Sequence, residues 1–274
     1  MASTTTQDRM AERGPGGPRV RRAWRILGSL AVGAMLLYGA YQVVVSLAHE
    51  RYTFDQSFDA AGIARIEVHN GAAGAIRIVG ADTDTITVTG RVDDGLRRTG
   101  HTERVEGDGL VLDSSCPQFG SNFCSVRYTI EAPRDLDIVA TTDHSRITIS
   151  DIDGDVDADS DNGRIELARI GGTIRADGDN GSLDLVELTA DDVEATTDNG
   201  GVHAQFDRAP RSVVVDSDNG SVEVVLPDDG EVYRLDTDTD NGAVSTQVNS
   251  SPSSRRTIEA TSDNGDVTIR YPRS

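Results

Sequence analysis

The sequence predicts an all-β solenoid of short stacked strands, preceded by one transmembrane helix. Three observations carry that expectation. The tripeptide Asp-Asn-Gly recurs, starting at Asp161, Asp179, Asp198, Asp218, Asp240 and Asp263, at intervals of 18, 19, 20, 22 and 23 residues. Around each copy, apolar and polar residues alternate with period two, as half-buried strands require. Near the N-terminus, Ile26 to Ala48 contains no charged side chain.

The N-terminal stretch comes first in the chain. In a helix rising about 1.5 Å per residue, Ile26 to Ala48 is long enough to cross a hydrocarbon layer of about 30 Å. Before it, residues 1–25 hold Arg9, Arg13, Arg19, Arg21, Arg22 and Arg25 against Asp8 and Glu12, a net of +4. Positive flanks stay in the cytoplasm, so the expected topology is N-terminus in and C-terminal domain out, with Trp24 and Tyr52 at the two interfaces. Three regions follow: a cytoplasmic basic tail (1–25), a signal-anchor helix (26–48) and an extracytoplasmic β-repeat domain (49–274). Ser46-Leu47-Ala48 also offers the small residues a signal peptidase prefers. The apolar run exceeds the 7 to 15 residues usual for a signal peptide, which favours the uncleaved anchor and leaves cleavage after Ala48 as the alternative.

Charge narrows the partners. The whole chain carries −20, and the first 48 residues carry +4, so residues 49–274 carry −24. Such a domain is repelled by phosphate backbones, which excludes nucleic acid as a partner. All 26 basic residues are Arg, a usage in keeping with a high-GC bacterial genome. Without lysine, Schiff-base chemistry, a Ser-x-x-Lys acyl enzyme and a P-loop are all excluded. Cys116 and Cys124 lie eight positions apart. Outside the cytoplasm they are expected to close a small loop by a disulfide.

The repeat defines the rest. Before the tripeptides stand Val156, Ala158 and Ser160, then Val193, Ala195 and Thr197, then Val213, Val215 and Ser217; after them stand Ile165 and Leu167, Leu183 and Leu185, Val222 and Val224. These sets face one side, and Asp, Glu, Arg, Thr and Ser between them face water. Asn-Gly favours tight turns where the backbone takes positive φ. The turn residues are Asn162-Gly163, Asn180-Gly181, Asn199-Gly200, Asn219-Gly220, Asn241-Gly242 and Asn264-Gly265. Asp143-His144-Ser145 reads as a degenerate copy, and His69-Asn70-Gly71 as a remoter one. Stacked coils would align the asparagines in a ladder; an antiparallel sandwich would use the same units as hairpins. A turn that is constant while only its connectors vary favours stacking. Seven to nine coils about 4.8 Å apart would extend for roughly 35 to 45 Å.

The runs Ile63 to Gly80, with Asn70-Gly71, and Tyr128 to Ile149, with Ile130-Glu131-Ala132-Pro133-Arg134-Asp135-Leu136 leading into Thr141-Thr142-Asp143, resemble the bacterial "putative adhesin" family, a domain of unknown function built from β-strand repeats. The resemblance covers approximately residues 60–272. It implies a repetitive β architecture and a place at the cell envelope, and brings no catalytic residues with it.

Site chemistry is sparse. Acidic runs nominate Asp157, Asp159 and Asp161, and Asp236, Asp238 and Asp240, as weak Ca²⁺ ligands at the turn edge. An EF-hand needs Gly at its sixth position and Glu at its twelfth, where these runs hold Asn162 and Ala168, or Asn241 and Gln247. The plainer reading is the wet face of strands. The histidines are scattered, with no His-Glu-x-x-His spacing. Polysaccharide-active β-helices use Asp and Arg on a sheet face together with aromatic platforms; here the domain has no Trp and few aromatics, among them Phe119, Phe123, Phe206, Tyr128, Tyr233 and Tyr271. A non-enzymatic envelope protein without cofactors is expected, binding a cell-wall polymer or another envelope protein. The alternative is a scaffold or sensory accessory acting through a membrane partner.

Overall fold

The structure is a computed structural model, and it describes residues 18–117 and 123–273. Most of the basic tail, residues 1–17, and Phe119 lie outside the described residues. Two compact units are present, Met1–Ala48 and His49–Ser274.

The first unit contains one helix, α1 (Pro18–Leu47). Within it, Trp24–Leu47 is long and apolar enough to cross a membrane, with a mean hydropathy of 1.8. Leu30, Met35, Leu36 and Leu37 are exposed along it.

The second unit is all β, in two sheets of 11 and 10 strands. Its regular part begins with β8 (Asp137–Thr142) and β9 (Ile147–Ile152), one strand in each sheet. The same step repeats in β10 (Val156–Ser160) and β11 (Ile165–Ile170), β12 (Ile174–Asn180) and β13 (Leu183–Leu188), β14 (Asp192–Asn199) and β15 (Val202–Phe206), and β16 (Ser212–Ser217) and β17 (Val222–Val225). It ends with β18 (Arg234–Thr239) and β19 (Val244–Gln247), then β20 (Thr257–Ser262) and β21 (Val267–Arg270). Each Asp-Asn-Gly turn thus carries the chain from one sheet to the other. Successive coils pair in parallel and in register, for example Val156↔Ile174↔Val193↔Val213.

Six strands precede the regular coils: β1 (Glu50–Asp59), β2 (Arg65–Gly71), β3 (Ile76–Ala81), β4 (Thr85–Asp94), β5 (Gly100–Glu106) and β6 (Gly109–Ser115). A seventh, β7 (Ser125–Pro133), follows them. The pairs β2/β3 and β6/β7 are coils of the same stack, giving nine in all. At strand spacing, nine coils extend for about 38 Å.

The order of coils departs from sequence at both ends. Coil β6/β7 lies outside β2/β3, and β20/β21 inserts between β16/β17 and β18/β19. Among the described residues antiparallel pairing, which the repeat did not foretell, appears only where β1, β4 and β5 join the first coils. There β1 and β5 meet: Phe54 stacks on His101 at a centroid distance of 4.4 Å, and Gln56 Nε2 donates to Glu103 Oε2.

The core is the space between the sheets. Ile138, Val156, Ile174, Val193, Val213 and Ile258 form one buried row, and Ile147, Ile165, Leu183, Val202, Val222 and Val267 face it from the other sheet. Alanines at 140, 158, 176, 195 and 260 line a second row where the sheets come closer to the turn. No coil could bury these side chains alone, so each is stabilised by its neighbours.

Candidate functional site

The most ordered chemistry in the molecule is the column of Asp-Asn-Gly turns, which has three layers. The outermost is an amide ladder. Asn180 Nδ2 donates to Asn162 Oδ1 at 3.2 Å, Asn199 to Asn180 at 3.1 Å, Asn219 to Asn199 at 3.2 Å, Asn264 to Asn219 at 3.2 Å and Asn241 to Asn264 at 3.1 Å. The spatial order is therefore 162, 180, 199, 219, 264, 241.

The middle layer is glycine, and its role differs from the sequence expectation. None of the turn asparagines or glycines has positive φ. Glycine is required by stacking instead. A Cβ on Gly181 would overlap the Gly163 carbonyl oxygen, one on Gly200 the Gly181 carbonyl, one on Gly220 the Gly200 carbonyl and one on Gly265 the Gly220 carbonyl. The backbones approach so closely that no side chain fits between coils.

The inner layer is a file of hydroxyls that the alternation had grouped with the apolar set. Thr197 Oγ1 donates to Gly181 O at 3.0 Å, Ser217 Oγ to Gly200 O at 2.8 Å, Ser262 Oγ to Gly220 O at 2.8 Å and Thr239 Oγ1 to Gly265 O at 2.9 Å. Each hydroxyl latches onto the neighbouring coil's glycine, a half-buried carbonyl that it supplies with a donor. The degenerate copy Asp143-His144-Ser145 stands on the same column: Asn162 Nδ2 donates to Asp143 O, and Ser160 Oγ to Ser145 O. His69-Asn70-Gly71 does not. Asn70 pairs with Thr142 in the hydroxyl file, is buried, and spends its amide on Gly74 O, Val126 O and Ser114 Oγ.

The opposite corner holds a feature the sequence reading missed. Asp151, Arg169 and Glu187 have φ of 63°, 55° and 56°, the left-handed region that glycine usually fills. They recur every 18 residues and are joined by charge. Arg169 Nε lies 2.8 Å from Asp151 Oδ1 and its Nη2 2.9 Å from Oδ2, while Nη1 reaches Glu187 Oε2 at 3.0 Å. Arg134 lies 3.6 Å from Asp151 on the other side. The Arg169 hydrogen bonds hold the Asp151 carboxyl down to about 2. The period and the alternating sign were visible in sequence, but no glycine marked the corner.

The Ca²⁺ candidates fall in two places. Asp157 and Asp159 point outward from β10, with Asp161 at its turn; Asp236 and Asp238 point outward from β18, with Asp240 at its turn, five strands away in the same sheet. The four strand residues belong to two rows running along the sheet. One row holds Asp159, Asp177, Thr196, Asp216, Thr261 and Asp238; its neighbour holds Asp157, Arg175, Glu194, Val214, Glu259 and Asp236. Partial burial and the facing Asp177, Asp161, Asp157 and Asp179 push the Asp159 carboxyl above its ordinary value. Asp218 is pushed the same way by desolvation, Asp198, Asp263 and Asp216. Among the described residues, no group of three or more His, Cys, Asp or Glu is placed to hold a metal ion.

Cys116 and Cys124 form a disulfide with a Cα–Cα distance of 5.8 Å, closing the loop between β6 and β7. A hollow of about 490 Å³ on the sheet of β2, β5 and β6 is lined by His69, His101, Asp113, Ser115 and Asp143 among others. His101 is already engaged there by Tyr52, Phe54 and Glu103.

Three solved structures are similar over most of the chain. A putative cell adhesion protein from Clostridium sporogenes is 12% identical, covering 81% of this chain and 100% of its own, with a TM-score of 0.37. A putative adhesin from Bacteroides fragilis is 13% identical, covering 81% and 97%, with a TM-score of 0.42. One from Parabacteroides distasonis is 11% identical, covering 79% and 97%, with a TM-score of 0.44. No curated protein matches the sequence. The family comparison matches residues 137–272, from the start of β8 to just past β21. That is the part with regular coils, and it excludes the first coils and their antiparallel strands, over which the resemblance had been extended. Residues 137–272 match the Toastrack family, DUF4097.

Proposed function

We propose that this chain is a single-pass membrane protein, with its N-terminus in the cytoplasm, that displays the solenoid outside the cell as a non-enzymatic binding surface for a cell-wall polymer. The observation that carries the reading is the pair of outward rows on the sheet of β8 to β20. In one row carboxylates and threonine hydroxyls repeat at strand spacing over seven strands, from Thr141 on β8 to Asp238 on β18; in the other Asp157, Glu194, Glu259 and Asp236 recur with Arg175 and Val214 among them. A row of this kind offers many weak, equivalent contacts to a polymer bearing hydroxyl or amino groups, and affinity accumulates by multivalency. The helix Trp24–Leu47 and the arginines before it support anchoring and orientation. The names of the similar structures agree with a binding role.

The test is retention of the detergent-solubilised chain on insoluble cell-wall polymers. The expected result is retention that falls when Asp177, Asp216 and Asp238 are together changed to Asn. No retention on any wall polymer, with recovery of a membrane protein partner in its place, would assign the chain instead to scaffolding or sensing.

A further inference from the structure

Six Asn-Gly pairs share one sequence context, yet the stack does not treat them alike. Asparagine followed by glycine is prone to spontaneous deamidation. The glycine backbone nitrogen attacks the asparagine Cγ, forming an N–Cγ bond; the Cγ–Nδ2 bond breaks and ammonia leaves with the displaced amide proton. Water then opens the succinimide at either carbonyl, giving Asp or isoaspartate. Two groups must be free for this: the glycine N–H and the asparagine Oδ1, on which charge develops.

In the Asn180-Gly181 and Asn199-Gly200 copies both are engaged. Gly181 N–H donates to Asn199 O at 3.0 Å and Gly200 N–H to Asn219 O at 3.2 Å. The Oδ1 atoms of Asn162, Asn180, Asn199, Asn219 and Asn264 each accept from the next rung. Asn241 is the last rung. Its Nδ2 donates to Asn264, and among the described residues no coil lies beyond to donate to its Oδ1 or to accept from Gly242 N–H. Gly242 is exposed, whereas Gly163, Gly181, Gly200, Gly220 and Gly265 are only partly so.

We infer that Asn241 is the molecule's deamidation site, and that the ladder protects the other five copies in order of their depth from the open end. Conversion places a new carboxylate beside Asp240 and replaces the donor that capped Asn264. Asn264 then becomes the exposed end, so modification moves inward in the order 241, 264, 219, which is not the order of the chain.

The full-length chain in detergent, held at pH 8.5 and sampled over days, tests this by peptide mapping of the NH₂-to-OH mass change at each of the six asparagines. A parallel sample in urea supplies the unfolded rates. Opening two hydrogen bonds before reaction should slow Asn180 and Asn199 about tenfold or more relative to Asn241 in the folded chain, with the spread collapsing in urea. Equal rates at all six positions in the folded chain, or Asn180 or Asn199 leading, would overturn the inference. Appearance of modified Asn264 before modified Asn241 would overturn the inward order.

Discussion

At the scale of single residues, the turn glycines are held by contact and not by dihedral angle. Gly200→Ala would drive a methyl group into the Gly181 carbonyl. The coils must then separate, at a cost of about 2 to 4 kcal/mol. Asn199→Ala removes three exposed amide bonds, to Asn180 and Asp179 and from Asn219, and should cost about 1 kcal/mol. Urea titration of the two variants is expected to give that ranking, and an Asn199→Ala loss equal to or larger than that of Gly200→Ala would move the weight of the turn from its backbone to its side chains. The Asn ladder was legible in sequence because six identical tripeptides at nearly constant spacing leave few other arrangements. The reason for the glycine was not legible. Asn-Gly carries the same signature in a positive-φ hairpin as in a stacked corner, and only the parallel neighbour distinguishes them. The hydroxyl file escaped for a related cause: Thr197, Ser217 and Ser262 alternate in phase with the apolar residues, and a count of alternation does not see a carbonyl awaiting a donor.

At the scale of the element, the coils β8/β9, β10/β11 and β12/β13 have two corners that solve the same bend differently. One uses glycine and close approach; the other puts Asp151, Arg169 and Glu187 in the left-handed region and ties them by charge. A non-glycine residue there costs about 1 to 2 kcal/mol. The exposed ion pairs offset only part of that. Arg169→Ala retains the strain and loses the ladder, so it should destabilise by about 1 kcal/mol, while Arg169→Gly loses the ladder and releases the strain and should stay near the parent. Thermal melts of both variants check the pair; an Arg169→Gly variant less stable than Arg169→Ala would show that the corner is not strained. The first coils follow neither pattern. Residues 49–136 carry no Asp-Asn-Gly repeat, and nothing in their alternation separates a parallel neighbour from the antiparallel β4 and β5.

At the scale of the whole molecule, acid and base pull in opposite directions on stability. Asp159 and Asp218 titrate above the ordinary carboxylate value in the folded state. The folded chain therefore binds those protons more readily than the unfolded one, and stability rises as pH falls from 7 toward 4. Asp151 behaves oppositely: its folded value of about 2 lies below the ordinary carboxylate value of 3.8, so its contribution is complete above about pH 4 and is lost as pH falls toward 2. The melting temperature is expected to pass through a maximum near pH 4 to 5, and added salt should raise it at pH 7 by screening a domain of −24. A monotonic fall in stability from pH 7 downward would contradict repulsion along the acidic rows.

The stacking order itself is the most exposed claim, because at the open end it departs from the chain. Asn264 lies between Asn219 and Asn241, although it comes last in sequence. Neighbouring rungs of a parallel sheet stand about 4.8 Å apart, within reach of a disulfide between cysteines. Paired cysteine variants of the ladder, oxidised in the folded chain, read that order directly. Cross-linking is expected for 219 with 264 and for 264 with 241, and not for 219 with 241. Efficient cross-linking of 219 with 241, and none through 264, would contradict the inserted final coil and return the turns to a simple sequential stack or to hairpins.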